Sequence, residues 1–144
     1  MGASSGGRLP GDPRPIRFCH ALPSKASAGT AVGRNPGPGE AKAQGPEVDV
    51  IRLGLEHLPR AIVEHRATGW IQVVAEKGSG RLLGLQAVGP NVAELLSSAT
   101  LAVRLGLTID DVVDTLHPYL TWVEGFKLAV QAFRTDVSKL SCCA

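Results

Sequence analysis

The sequence is short of cysteine, of aromatic residues, of long apolar runs and of net charge, and each shortage narrows what the chain can be. It has three cysteines among 144 residues, Cys142 and Cys143 adjacent and Cys19 far away. That is too few, too unevenly placed, for the disulfide framework of a small secreted domain; in a reducing compartment free thiols more often serve as ligands or redox groups. No apolar stretch approaches the roughly 20 residues that cross a bilayer. The opening "MGASSGGRLPGDPRP" also lacks the apolar segment of a secretory signal. The expectation is a cytoplasmic protein with no membrane partner. Fifteen Lys and Arg against 13 Asp and Glu leave a formal charge of only +2. Scattered basic residues without interleaved aromatics do not make a phosphate-tracking surface, so no nucleic-acid partner is expected.

What is present divides into two unlike halves. Residues 1–46 hold 9 of the 17 Gly and 7 of the 10 Pro, and they carry six basic against two acidic residues. Residues 47–144 hold five of the six aromatic residues and carry nine basic against eleven acidic ones. Up to Gly39 there is no period of either 2 or 3.6, and "GRNPGPGE" is a cluster of breakers, which predicts a disordered arm over 1–39. "EAKAQG" reads as a short helical turn closed by Gly45.

The later half is patterned. "EVDVIRLGLEHL" alternates like a strand. Two β-rich runs, Trp70 to Glu76 and Arg81 to Val88, flank Lys77-Gly78-Ser79-Gly80 and predict an antiparallel hairpin. In "GPNVAELLSSATLAVRLG", Val92, Leu95, Leu96, Ala99, Ala102 and Val103 recur at helical spacing, with Pro90 near the start and Gly106 after the end. "TIDD" pairs Thr108 with Asp111 as a helix start, and that helix ends near His117-Pro118. "TWVE" pairs Thr121 with Glu124 in the same way. It opens a helix whose Val123, Phe126, Val130, Phe133 and Val137 follow a spacing of three and four. Three strands then three helices predict an α+β domain with helices packed on an antiparallel sheet.

The run "HPYLTWVEGFKLAVQAF" with "VSKLSCCA" resembles the C-terminal end of bacterial mercuric reductases, a branch of the flavin- and nicotinamide-dependent disulfide oxidoreductases. "GRLLGLQAVGPNVAELL" and "LEHLPRA" resemble that family's dimerisation domain. The similarity covers about Glu40 to Ala144 and is most specific in Pro-Tyr-Leu-Thr and Leu-Ser-Cys-Cys-Ala. It implies a dimerisation domain over 40–137, a flexible metal-binding tail over 138–144, and pairing as a homodimer or with a full-length reductase subunit. Upstream of Glu40 the resemblance stops, and the Pro-, Gly- and Arg-rich composition of residues 1–39 suits a GC-rich coding region read out of frame. The expectation is a truncated or frame-shifted member.

The resemblance assigns Cys142 and Cys143 as ligands for Hg(II), and the chemistry agrees, because a very soft cation prefers thiolates. Adjacent thiols suit transfer better than storage, since their short shared backbone hinders linear coordination by both sulfurs at once. Tyr119 matches a family tyrosine near the metal path, where a phenol oxygen can ligate or orient the ion; the other reading is a ring that fills an interface while its hydroxyl takes a hydrogen bond. His117 matches a His-Pro motif that supplies an acid–base histidine, held by a glutamate, in many relatives. Here His117 and Glu124 are seven positions apart, longer than that pattern, and Glu124 serves equally well as the capping partner of Thr121. His20, His57 and His65 show no ligand spacing, and Cys19, in the unpatterned arm, is assigned no role.

The family's chemistry also needs FAD and NADPH sites and a redox cysteine pair. "GSGRLLG" sits in a hairpin turn and opens no helix, so it is no dinucleotide fingerprint. The resemblance therefore implies a part of a mercuric reductase that handles Hg(II) as substrate, with FAD and NADPH belonging to the intact enzyme only. The alternative from another class is a stand-alone protein that binds or scavenges soft metal.

Overall fold

In the computed structural model, residues 47–136 are described in full, together with the backbone of two upstream strands, β1 (Leu22–Pro23) and β2 (Thr30–Arg34). The turn predicted at "EAKAQG", Cys19, His20, and the tail with Cys142 and Cys143 lie outside the described residues. The remaining elements follow in order: β3 (Val48–Gly54), a 3-10 turn (Leu55–His57), α1 (Pro59–Val63), β4 (Trp70–Glu76), β5 (Leu82–Gly89), α2 (Ala93–Leu105), α3 (Ile109–Asp114) and α4 (Glu124–Gln131). The strands form one antiparallel sheet in the order β1-β2-β5-β4-β3. The fold is α+β, as the sequence predicts.

Alternation decides which face of the sheet meets the helices. Leu53, Ile71, Val73, Ala75, Leu85 and Ala87 point to one side, where they join Leu95, Ala99, Ala102, Phe126, Ala129 and Val130 in a continuous buried core. On the other side Val74 and Leu83 pack with Val48. A polar row crosses three strands there: Arg52 donates from Nε and Nη2 to Gln72 Oε1 at 3.1 and 2.8 Å, and Gln72 Nε2 donates to Gln86 Oε1 at 3.2 Å. These bonds let Gln72 sit buried in the central strand, and the Arg52 guanidinium also lies 4.3 Å from the centre of the Trp70 ring.

The hairpin forms at the predicted turn. Gly78 and Gly80 take φ of 85° and 68°, a region that glycine enters without a Cβ penalty. The Gly80 N–H donates to the Glu76 carbonyl at 2.9 Å, and Ser79 Oγ donates to the Glu76 carboxylate at 2.6 Å. Two predicted helix boundaries hold, whereas α3 ends at Asp114, before the expected His117-Pro118, and α4 ends at Gln131, short of Phe133. Gly106 ends α2 in the left-handed conformation, and Thr108 with Asp111 forms a complete capping box at α3. Hydrogen bonds from the Thr108 N–H and hydroxyl hold the Asp111 carboxyl below the usual carboxylate range.

Other elements also depart from the sequence reading. The strand at "EVDVIRLGLEHL" stops at Gly54 and gives way to the 3-10 turn. Helix α1 was not anticipated; five residues are too few to show a period, and Pro59 at its first turn was its signal. Strand β2 lies within the stretch read as an unpatterned arm, yet its backbone pairs with β5 from Thr30↔Gly89 to Arg34↔Leu85. Flanked by Gly and Pro, its five residues show no alternation long enough to register.

Candidate functional site: the loop between α3 and α4

The segment from Thr115 to Val123 carries His117 and Tyr119, and both of its ends are anchored. Thr115 leaves the helical region at ψ 135° and closes α3. Its carbonyl then accepts a hydrogen bond from Lys127 Nζ at 3.0 Å and lies 3.1 Å from His117 Nδ1. Lys127 belongs to α4, so the loop begins fastened to the helix in which it ends. The half-buried His117 ring meets Phe126 edge to face, with centroids 6.1 Å apart.

At the far end the polypeptide makes a sharp turn through Pro118-Tyr119-Leu120-Thr121. Thr121 Oγ1 donates to the Pro118 carbonyl at 2.8 Å and accepts from the Glu124 N–H at 3.3 Å. Glu124 Oε2 in return accepts from the Leu120 N–H at 3.0 Å. This is the relation expected of Thr121 and Glu124 with one change: the carboxylate reaches past Thr121 to the residue before it. Leu120 stands at φ 62°, in the left-handed region. Glu124 is only 7% exposed, whereas Tyr119 is 60% and Leu116 89% exposed. The site is thus an exposed phenol on a turn closed from within by a buried carboxylate.

His117 and Glu124 are not joined by a hydrogen bond. His117 turns to the Thr115 carbonyl and Phe126, and Glu124 to Leu120. Sequence reasoning missed three contributors. Leu120 has no sequence signal, since glycine or asparagine would be the usual choice at positive φ. Lys127 is twelve residues from the carbonyl it holds. Trp122 is 3% exposed, and among the described residues its indole N–H has no hydrogen-bond partner; the spacing of three and four pointed instead to Val123 as the inward residue.

The described residues do not fit a flavin or nicotinamide group. The Gly-rich turn joins two antiparallel strands, and its N–H groups at Lys77 and Gly80 are already given to the carbonyls of Glu47 and Glu76. Among the described residues no three His, Cys, Asp or Glu side chains gather to hold a metal ion, and no helix is long and apolar enough to cross a membrane.

Residues 31–130 match the family model described as the pyridine nucleotide-disulphide oxidoreductase dimerisation domain. The chain belongs to this family. Over 105 residues the chain is 50% identical to the mercuric reductase of Acidithiobacillus ferrooxidans and 49% identical to that of Shigella flexneri, matches that cover 73% of this chain and 19% of each relative. It therefore spans about a fifth of the length of the curated relatives it matches. LpdA from Mycobacterium tuberculosis shares the fold at a TM-score of 0.72 and 18% identity, covering 85% of this chain and 27% of LpdA. The HOCl-induced flavoprotein disulfide reductase RclA from Escherichia coli, solved as a Cu(II) complex, shares it at 0.67 and 16% identity, over 72% of this chain and 23% of RclA. The family match starts at residue 31, within β2, upstream of Glu40 where the resemblance in the sequence faded.

Proposed function

We propose that this dimerisation domain is the Hg(II)-relay part of a mercuric reductase. The observation that carries the reading is the 50% identity to a mercuric reductase in a chain whose sequence also holds Cys142 and Cys143. Two thiolates suit a soft cation and can pass it on by ligand exchange, one sulfur releasing as an incoming thiolate binds. Tyr119, presented on its turn, is suited to ligate or steer the ion beside that path. His117 is the candidate for proton exchange with the redox thiols, acting without Glu124, whose carboxylate is committed to Leu120.

In an intact enzyme of this kind NADPH would supply, by way of FAD, the two electrons that take Hg(II) to Hg(0); here the work is capture, transfer and association. Association as a homodimer, or with a full-length reductase subunit, is supported by the family's role and by exposed apolar side chains such as Leu101 and Leu105 on α2. The reading places the protein in the cytoplasm.

Titration of the reduced full chain with Hg(II), following free thiols, tests capture. The native chain should take up about one ion per thiolate pair, and Cys142→Ala/Cys143→Ala should lose that uptake. Equal uptake by both proteins would remove the tail from the mechanism.

A further inference from the structure

We infer that Glu124 is the positioning residue for Tyr119, acting through the peptide bond that joins Tyr119 to Leu120. This rests on the reading above for the use of the phenol, though the positioning itself stands on geometry. The N–H gripped by the Glu124 carboxylate, 3.0 Å away, is that of Leu120 and so belongs to the peptide plane immediately following the Tyr119 Cα. Fixing that plane fixes the tyrosine's ψ and hence the direction in which its Cα–Cβ bond leaves the chain.

The local conformation needs such a hold. Leucine at φ 62° is disfavoured because its Cβ crowds the following carbonyl, and such a residue persists only where its surroundings impose it. Three side-chain hydrogen bonds impose it here: Thr121 to Pro118, Glu124 N–H to Thr121, and the Glu124 carboxylate to Leu120. Of these, only the last reaches the Tyr119–Leu120 peptide. A carboxylate 7% exposed is costly to bury unless hydrogen bonded, so breaking this bond is disfavoured from both ends. An ordinary capping box would return the carboxylate to the capping residue's own N–H. Reaching one residue further converts a helix-start device into a clamp on an exposed loop, while His117, the other candidate partner of Glu124, bonds elsewhere.

Tyr119 is the single tyrosine of the sequence, so isotope-labelled tyrosine gives one set of ring signals. The test uses the full reduced chain, labelled at tyrosine and at backbone nitrogen, as native, Glu124→Gln, Glu124→Ala and Glu124→Asp. Aspartate keeps the charge yet is too short to reach Leu120, and it serves where the alanine variant does not fold. In the alanine or aspartate variant, exchange of the Leu120 amide should quicken by about tenfold or more while the amides of β4 hold within about twofold. The ring signals should move toward those of an unstructured tyrosine, and Glu124→Gln, which retains an oxygen acceptor, should stay near native.

Native-like Leu120 exchange in both short variants would overturn the clamp. So would equal quickening in β4, since Glu124 would then be a general packing residue. Addition of Hg(II) separates the clamp from the mercury reading. A native ring signal that ignores the ion while the Leu120 pattern holds would sink the role given to Tyr119 and leave the clamp supported. A ring that responds to Hg(II) identically in Glu124→Asp and native protein would overturn the clamp as a positioning device.

Discussion

Replacing Gly125 by alanine pushes a methyl group into the seam where α4 sits on the sheet. A Cβ there would stand 2.8 Å from Ile71 Cδ1 and 3.2 Å from Leu58 Cδ2. Both neighbours are fully buried, so a displaced methyl has only packed core to enter. Overpacking of this kind costs about 1 to 3 kcal/mol. Exchange of glycine for alanine within a helix returns up to about 1 kcal/mol. The net expectation for Gly125→Ala is a loss of about 1 to 2 kcal/mol, which at a urea m-value near 2 kcal/mol/M lowers the unfolding midpoint by about 0.5 to 1 M. Ile71→Val removes the crowding Cδ1 at a cost of about 1 kcal/mol alone. In the double variant the two losses should fail to add by about 1 kcal/mol, since the valine makes room for the alanine. Urea unfolding of the four proteins measures the cycle. A neutral or stabilising Gly125→Ala, or strict additivity with Ile71→Val, would refute the close seating of α4 that aims the Tyr119 loop.

Two further predictions concern α3 and α2. The folded-state pKa of Asp111 lies below its unfolded value of 3.8, so its contribution to stability is present above that value and fades as pH falls through the folded pKa. Asp111→Asn should therefore melt below the native chain at pH 7, and the gap should narrow toward pH 3; a gap that widens with acid contradicts the sign. Leu101 and Leu105 lie four residues apart on α2 and are 58% and 64% exposed. Leu101→Glu/Leu105→Glu should shift the sedimenting species from dimer toward monomer with helical content retained, and an unchanged dimer would move the interface to another face.

What could be read in the sequence was whatever short-range chemistry decides. The Lys77–Gly80 turn, the Gly106 stop and the Thr108 box each depend on residues within four positions of one another, and all three stand in the structure as expected. Helix α1 and strand β2 were hidden because five residues carry too little period, and β2 is recognisable only through its pairing with β5, more than fifty positions away. The loop shows the same limit more sharply. Spacing allowed Glu124 to serve either His117 or Thr121; only the left-handed turn at Leu120 shows that its backbone N–H joins Thr121 while its carboxylate takes a third course. Trp122 illustrates a different failure, since the motif that located the helix start did not say which of two adjacent apolar residues faces inward.

The central claim is relay, and hand-off tests it most directly. The reduced chain, loaded with one equivalent of Hg(II), is mixed rapidly with an excess of a small dithiol, and loss of the protein's mercury–thiolate absorbance is followed with time. A relay predicts prompt and complete transfer, slowed in Tyr119→Phe. Retention of the metal against the dithiol would contradict relay and identify a protein built to keep mercury.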